Sequence, residues 1–127
     1  MAHILVMDDD ETLRNVMTTI LREQGHEVSA FATADDGLAA AGRGSFDLVV
    51  TDILMPGTTG YDAILELRQT LPATPVLAVS GGGDDTDNSY LDIARRLGAR
   101  RALHKPFTAD QFRAAVAELL EPTDAVQ

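Results

Sequence analysis

The sequence predicts an α/β fold in which a doubly wound, five-stranded parallel sheet carries helices on both faces. Three observations lead there. Short apolar runs alternate five times with stretches of helical periodicity along 127 residues. The runs are apolar throughout rather than alternating with polar residues, the pattern of strands covered on both faces. No long linker, repeat or low-complexity stretch interrupts the alternation, and the length suits one domain.

Ile4-Leu5-Val6-Met7 reads as the first strand, ending at Asp8. Leu13, Val16, Met17, Ile20 and Leu21 follow at helical spacing, with Asp10 as N-cap and Gly25 as the stop. Val28-Ser29-Ala30 is a short second strand, and Thr33 to Ala41 an alanine-rich helix closed by Gly42. Phe46 to Thr51 forms the third strand, ending at Asp52. After a turn from Met55 to Gly60, Tyr61, Ile64, Leu65 and Arg68 mark a helix closed before Pro72. Pro75 opens the fourth strand, Val76 to Val79, which ends at Ser80. A glycine-rich loop then leads to a helix near Ser89 to Leu97, stopped by Gly98. Ala102-Leu103-His104 is the fifth strand, ending at Lys105. Thr108 with Gln111 makes a capping box for the last helix, whose apolar face is Phe112, Ala115, Val116 and Leu119. The domain is expected over residues 1–121, and residues 122–127 as a short tail. Right-handed crossovers place helices on both faces. At this size the flavodoxin-like strand order 2-1-3-4-5 follows.

Composition narrows the function classes. The net charge of −10 repels nucleic acid and anionic membranes, so neither is expected as a direct partner. There are no cysteines, which removes disulfides and thiolate metal sites. The apolar run near Met1 is too short for a signal sequence or a membrane span, and the cytoplasm is the expected location. Nine of the ten basic residues are arginine; the one lysine, Lys105, stands directly before Pro106.

The predicted strand order directs attention to one edge. Ligands of open α/β sheets bind beyond the carboxyl ends of the strands, here at the switch point between the first and third. The residues at those ends are Asp8, Asp9, Asp52, Ser80 and Lys105. Three converging carboxylates repel one another unless a cation joins them. A hard divalent ion with oxygen ligands, magnesium by its small ligand demand, meets that need. Asp52 is placed as a nucleophile toward a phosphoryl group whose oxygens the metal, Lys105 and Ser80 would neutralise.

The runs Val6-Met7-Asp8-Asp9, Thr51-Asp52-Ile53-Leu54-Met55-Pro56-Gly57-Thr58-Thr59-Gly60, Ala78-Val79-Ser80-Gly81 and Lys105-Pro106-Phe107 resemble the signature of response-regulator receiver domains, chemotaxis-regulator-like and of the stand-alone type. The resemblance covers about Ile4 to Leu120. It implies phosphorylation of Asp52 by a sensor histidine kinase or phosphotransfer protein, with Mg²⁺ bound by Asp8, Asp9, Asp52 and the backbone carbonyl of Leu54. It implies phosphoryl contacts from Ser80 and Lys105, and a cis bond at Lys105–Pro106. Acceptance and hydrolysis of the phosphoryl group would be self-catalysed, without turnover of a separate substrate.

The sequence departs from the family pattern at three positions. Thr59 stands where an acid often precedes the glycine, Ala102 where an aromatic switch residue is usual, and Gly82 where a larger side chain often lies two residues past Ser80. Without a ring at Ala102, the expected readout passes from Ser80 to Gly81, Gly82 and Gly83. His104, on the same strand face as Ala102, is expected as a polar surface residue that senses the shift.

Other classes are weighed beside this one. Asp8-Asp9-Asp10-Glu11-Thr12 fits the D-x-D-x-T pattern of haloacid-dehalogenase-like phosphatases, which would make Asp8 the nucleophile. That fold needs an acidic strand end after the lysine, and the later acids Asp110, Glu118, Glu121 and Asp124 fall in or after the last helix. A flavodoxin-like cofactor binder needs a phosphate cradle where this chain has Asp8 to Glu11. A receiver-like binding module that is never phosphorylated is the remaining alternative. No output segment is expected after Leu120, so signalling is assigned to protein contacts. Arg95, Arg96, Arg100 and Arg101 with Asp110 and Glu118 suggest a mixed-charge face on helix 4, strand 5 and helix 5 for dimerisation or target binding.

Overall fold

The computed structural model describes residues 1–55, 57, 59–80 and 89–121. Gly81, Gly82 and Gly83, Pro56, Thr58 and the tail 122–127 therefore lie outside the described residues. The elements run β1 (His3–Met7), α1 (Glu11–Glu23), β2 (Glu27–Phe31), α2 (Ala34–Ala41), β3 (Leu48–Asp52), α3 (Gly60–Thr70), β4 (Val76–Ser80), α4 (Ser89–Leu97), β5 (Arg101–His104) and α5 (Ala109–Leu120). All strand pairs are parallel, in the order β2-β1-β3-β4-β5. No described helix is long and apolar enough to cross a membrane.

The apolar strands read as they do because each face of the sheet has its own core. Leu5, Met7, Val49 and Ala78 point into one core with residues of α2, α3 and α4. Ile4, Val6, Leu48, Val50, Leu77 and Val79 point into the other, against Met17, Ile20 and Leu21 of α1 and Phe112, Ala115, Val116 and Leu119 of α5. The two-residue alternation of side chains thus divides one apolar run between two layers.

Boundaries differ from the expectation where side chains take over from backbone pairing. The third strand opens at Leu48, not Phe46. Pairing with β1 starts at Ile4↔Leu48, while the Phe46 ring packs against His3 with centroids 4.4 Å apart. Thr33 is the N-cap of α2 rather than its first residue, and its hydroxyl accepts from Asp36 N–H. Asp10 caps α1, and Thr108 with Gln111 forms the capping box of α5. Thr59, in the position that departs from the family pattern, caps α3 by accepting from Asp62 N–H.

Candidate functional site

Three backbone hydrogen bonds carry the sheet pattern past the ends of β1, β3 and β5. Asp8 N–H donates to Phe31 at 3.1 Å, Ile53 N–H to Val79 at 3.0 Å and Lys105 N–H to Ser80 at 2.8 Å. The residues at that edge are therefore held by the sheet and not by mobile loops, which is what a preorganised site requires. On the far side of Asp52 the chain turns sharply into α3, and Gly60 N–H returns to the Ile53 carbonyl at 2.9 Å. A Cβ at Gly60 would lie 2.3 Å from the Asp52 carbonyl oxygen, so only glycine permits this approach.

The carboxylates of Asp8, Asp9 and Asp52 converge, with ligand atoms within 4.8 Å of one another. Asp8 is fully buried, Asp52 is 4% exposed and Asp9 faces solvent. Lys105 Nζ reaches between the two buried acids, 3.2 Å from Asp8 Oδ2 and 3.3 Å from Asp52 Oδ2. Among the described residues it is the only side-chain cation paired with these three carboxylates. Ser80 is buried at the end of β4 beside them. Leu54 N–H donates to Asp52 Oδ1 at 3.4 Å, and the Leu54 side chain is 42% exposed. The Lys105–Pro106 peptide bond is cis.

The electrostatics follow from burial. Desolvation, and then the neighbouring Asp8 charge, push the Asp52 carboxyl up from 3.8 to about 6, against the lowering effect of Lys105 and the Leu54 N–H. Burial works against the Lys105 charge too, but Asp52 and Asp8 outweigh it and hold the ammonium above its ordinary range. Three carboxylates against one ammonium leave a surplus of negative charge at a site whose donors are all oxygen. That set fits a hard divalent cation.

Both buried carboxylates give Oδ2 to the lysine, and Asp8 Oδ1 is held more closely by Asp10 N–H, at 2.9 Å, than Asp52 Oδ1 is by Leu54 N–H, at 3.4 Å.

One site residue escapes the sequence reading. Arg14, half-buried on α1, donates from Nη1 to the Asp8 carbonyl at 2.9 Å. A signal was present: a cation near the start of a helix opposes the helix dipole unless it reaches an acceptor elsewhere. Of the expected switch residues, Ala102 pairs with Ala78 and packs against the α2–α3–α4 core. His104 is not the surface residue expected. It is half-buried opposite Ser80, and its Nε2 has no hydrogen-bond partner among the described residues. The Gly81–Gly83 part of the switch lies outside the described residues.

Known proteins share this fold. The family model "Response regulator receiver domain" matches residues 4–117. Protein PilH of Pseudomonas aeruginosa is 36% identical over 108 residues, 84% of this chain and 87% of its own length. The uncharacterized transcriptional regulatory protein YkoG of Bacillus subtilis is 31% identical over 115 residues, 90% of this chain. The chain spans 49% of YkoG, about half of that relative's length. The receiver domain of NtrX from Brucella abortus superimposes with a TM-score of 0.86 at 33% identity, covering 94% of this chain and 99% of that one. Fold, strand-end chemistry and a family match over most of the sequence agree, and the chain belongs to the receiver domains of two-component response regulators.

Proposed function

We propose that Asp52 accepts a phosphoryl group from a phosphohistidine donor, a sensor histidine kinase or a phosphotransfer protein, in a cytoplasmic phosphorelay. The observation that carries this reading is the Asp52 carboxylate, recessed at the end of β3 with Lys105 at 3.3 Å and two further carboxylates beside it. An Asp52 carboxylate oxygen attacks phosphorus, the P–N bond breaks, and the imidazole leaves with the electron pair. Lys105 and Ser80 receive the phosphoryl oxygens that carry the developing charge. Asp8, Asp9, Asp52 and the Leu54 carbonyl would hold Mg²⁺, which would neutralise phosphoryl charge when bound. Later attack by water on the acyl phosphate returns the carboxylate, so the chain is a signalling phosphoacceptor that promotes its own chemistry.

The receiver unit is assigned to residues 1–121. Ala102 offers no ring to turn, so we assign the readout of phosphorylation to Ser80 and the run Gly81, Gly82, Gly83. Output is assigned to protein contacts on α4, β5 and α5, including dimerisation, where Arg101 and Glu118 already tie β5 to α5.

Incubation with a small-molecule phosphodonor and Mg²⁺, followed by mass spectrometry, tests the assignment. Acyl phosphate is expected on Asp52 alone, to be lost in Asp52→Ala and with chelator. Asp9→Ala should weaken Mg²⁺ binding by more than about tenfold, since it removes a charged ligand. Undiminished labelling of Asp52→Ala would sink the proposal. Labelling at Asp8 would revive the phosphatase alternative, and absence of any labelling the unphosphorylated binding module.

A further inference from the structure

Strand β3 carries a hydroxyl into an apolar layer. Thr51 is fully buried. It shares a sheet face with Val49 and Ile53, and both belong to the core formed with α2, α3 and α4. Its register partners on the neighbouring strands, Met7 and Ala78, are members of the same core. Valine would fill that space without a polar atom to satisfy. The Thr51 hydroxyl needs a partner, and it donates to the Asp52 carbonyl at 3.1 Å.

That bond completes a grip on the peptide leading out of Asp52, the last residue of β3. The carbonyl of this peptide takes the Thr51 hydroxyl, and its N–H, from Ile53, donates to Val79 at 3.0 Å. Gly60 packs so closely on the same carbonyl oxygen that a Cβ there would lie 2.3 Å from it. The next peptide supplies the Leu54 N–H that reaches Asp52 Oδ1 at 3.4 Å. Rotation of the first peptide redirects the second, so the Thr51 hydroxyl acts on the carboxylate through two successive peptide planes.

We propose that Thr51 is a positioning residue for phosphoryl transfer, its hydroxyl fixing the Asp52–Ile53 peptide so that the Asp52 carboxylate meets phosphorus at a set angle. The proposal rests on Asp52 being the phosphoacceptor. Thr51 neither forms nor breaks a bond to the phosphoryl group, and its proton stays on the hydroxyl throughout. What it supplies is direction. Attack by a carboxylate oxygen requires that oxygen, phosphorus and leaving group be aligned, and a small misplacement slows such a step. Lys105 and the Leu54 N–H hold the two carboxylate oxygens from outside. Thr51 holds the backbone from which the carboxylate projects. A side chain of the same shape without the hydroxyl would keep the core filled and free this peptide to turn.

The test uses the full chain with phosphoramidate, a small P–N donor, at saturating Mg²⁺, and follows acyl phosphate on Asp52 in time by mass spectrometry. Thr51→Val keeps the shape, loses the hydroxyl and should be labelled about fivefold more slowly than the parent. Thr51→Ser keeps the hydroxyl and should stay within about twofold, although the missing methyl leaves a buried gap and lowers its melting temperature. Thr51→Ala, lacking both groups, should be as slow as Thr51→Val. Labelling then follows the hydroxyl and melting the methyl, a split that a merely structural role would not give. In chelator, the Leu54 amide should exchange with deuterium about threefold faster in Thr51→Val than in Thr51→Ser, as its bond to Asp52 loosens. Labelling of Thr51→Val at the parent's rate, Thr51→Ser as slow as Thr51→Val, or equal Leu54 exchange in the two would each overturn the role of Thr51 and leave Asp52 the phosphoacceptor. A parent never labelled at Asp52 would overturn the phosphoacceptor reading, and this proposal with it.

Discussion

The Lys105 ammonium and the Asp52 carboxylate meet at 3.3 Å although their strands are not neighbours, since β4 runs between β5 and β3. Two strand spacings amount to about 10 Å, which a short side chain at position 105 would not cross. Lysine crosses it with a flexible stem and delivers a compact charge between two buried acids. Arginine reaches as far, so it is the compact ammonium, seated between two buried acids, that suits the single lysine of an arginine-using sequence to this position.

Stability should report the strained charge balance of Asp52. Its folded pKa, about 6, lies above the ordinary 3.8. Protonation therefore favours the folded state. That contribution is fully present below about pH 4 and is lost as pH rises through about 6. A rise of about two units corresponds to at most about 3 kcal/mol. Asp52→Asn should then be more stable than the parent at pH 7 to 8 in chelator, by about 1–3 kcal/mol, with the gap closing toward pH 4. Urea titrations across that range measure it. A gap that is independent of pH would contradict the burial argument.

Arg14 should act on the metal site without touching the metal. Arg14→Ala removes the donor to the Asp8 carbonyl, a charge-assisted bond whose loss costs about 1.5 kcal/mol. With Asp8 less firmly held, Mg²⁺ affinity should fall about tenfold, the usual effect of removing a residue that orients a ligand. Calorimetric titration gives the affinity and urea melts the stability. Loss of stability with unchanged Mg²⁺ affinity would show that Arg14 only braces α1.

Gly60 should tolerate no side chain. In Gly60→Ala the new Cβ would meet the Asp52 carbonyl oxygen at 2.3 Å and the Ile53 Cα at 2.5 Å, both backbone atoms that cannot step aside. The expected loss is about 3 kcal/mol or more, with displacement of Asp52. Gly44→Ala is the comparison, because its Cβ would meet nothing closer than 3.8 Å and should change stability by less than about 0.5 kcal/mol. Denaturant unfolding of the two variants separates backbone collision from a general glycine effect.

The sequence by itself determined the order of elements, the strand order and the identity of the strand-end residues. These rest on local signals: apolar runs such as Ile4 to Met7, the caps at Asp10 and Thr108, and polar residues placed at the ends of buried strands. Tertiary structure decided what no local pattern encodes. It divided each apolar strand between two cores, so that Met7 faces α2 while Val6 faces α1 and α5. It made Gly37 necessary inside α2 despite a helix cost of about 1 kcal/mol, because a Cβ there would strike Met7 Sδ at 2.3 Å. It turned Arg14 back onto Asp8, covered Nε2 of the half-buried His104 that was expected at the surface, and set Arg101 apart from Arg95, Arg96 and Arg100, whose side chains are unpaired among the described residues. The division has a physical reason. Periodicity and capping depend on residues within a turn or two of one another, whereas burial, close approach and charge pairing depend on segments that folding brings together from far apart in the chain.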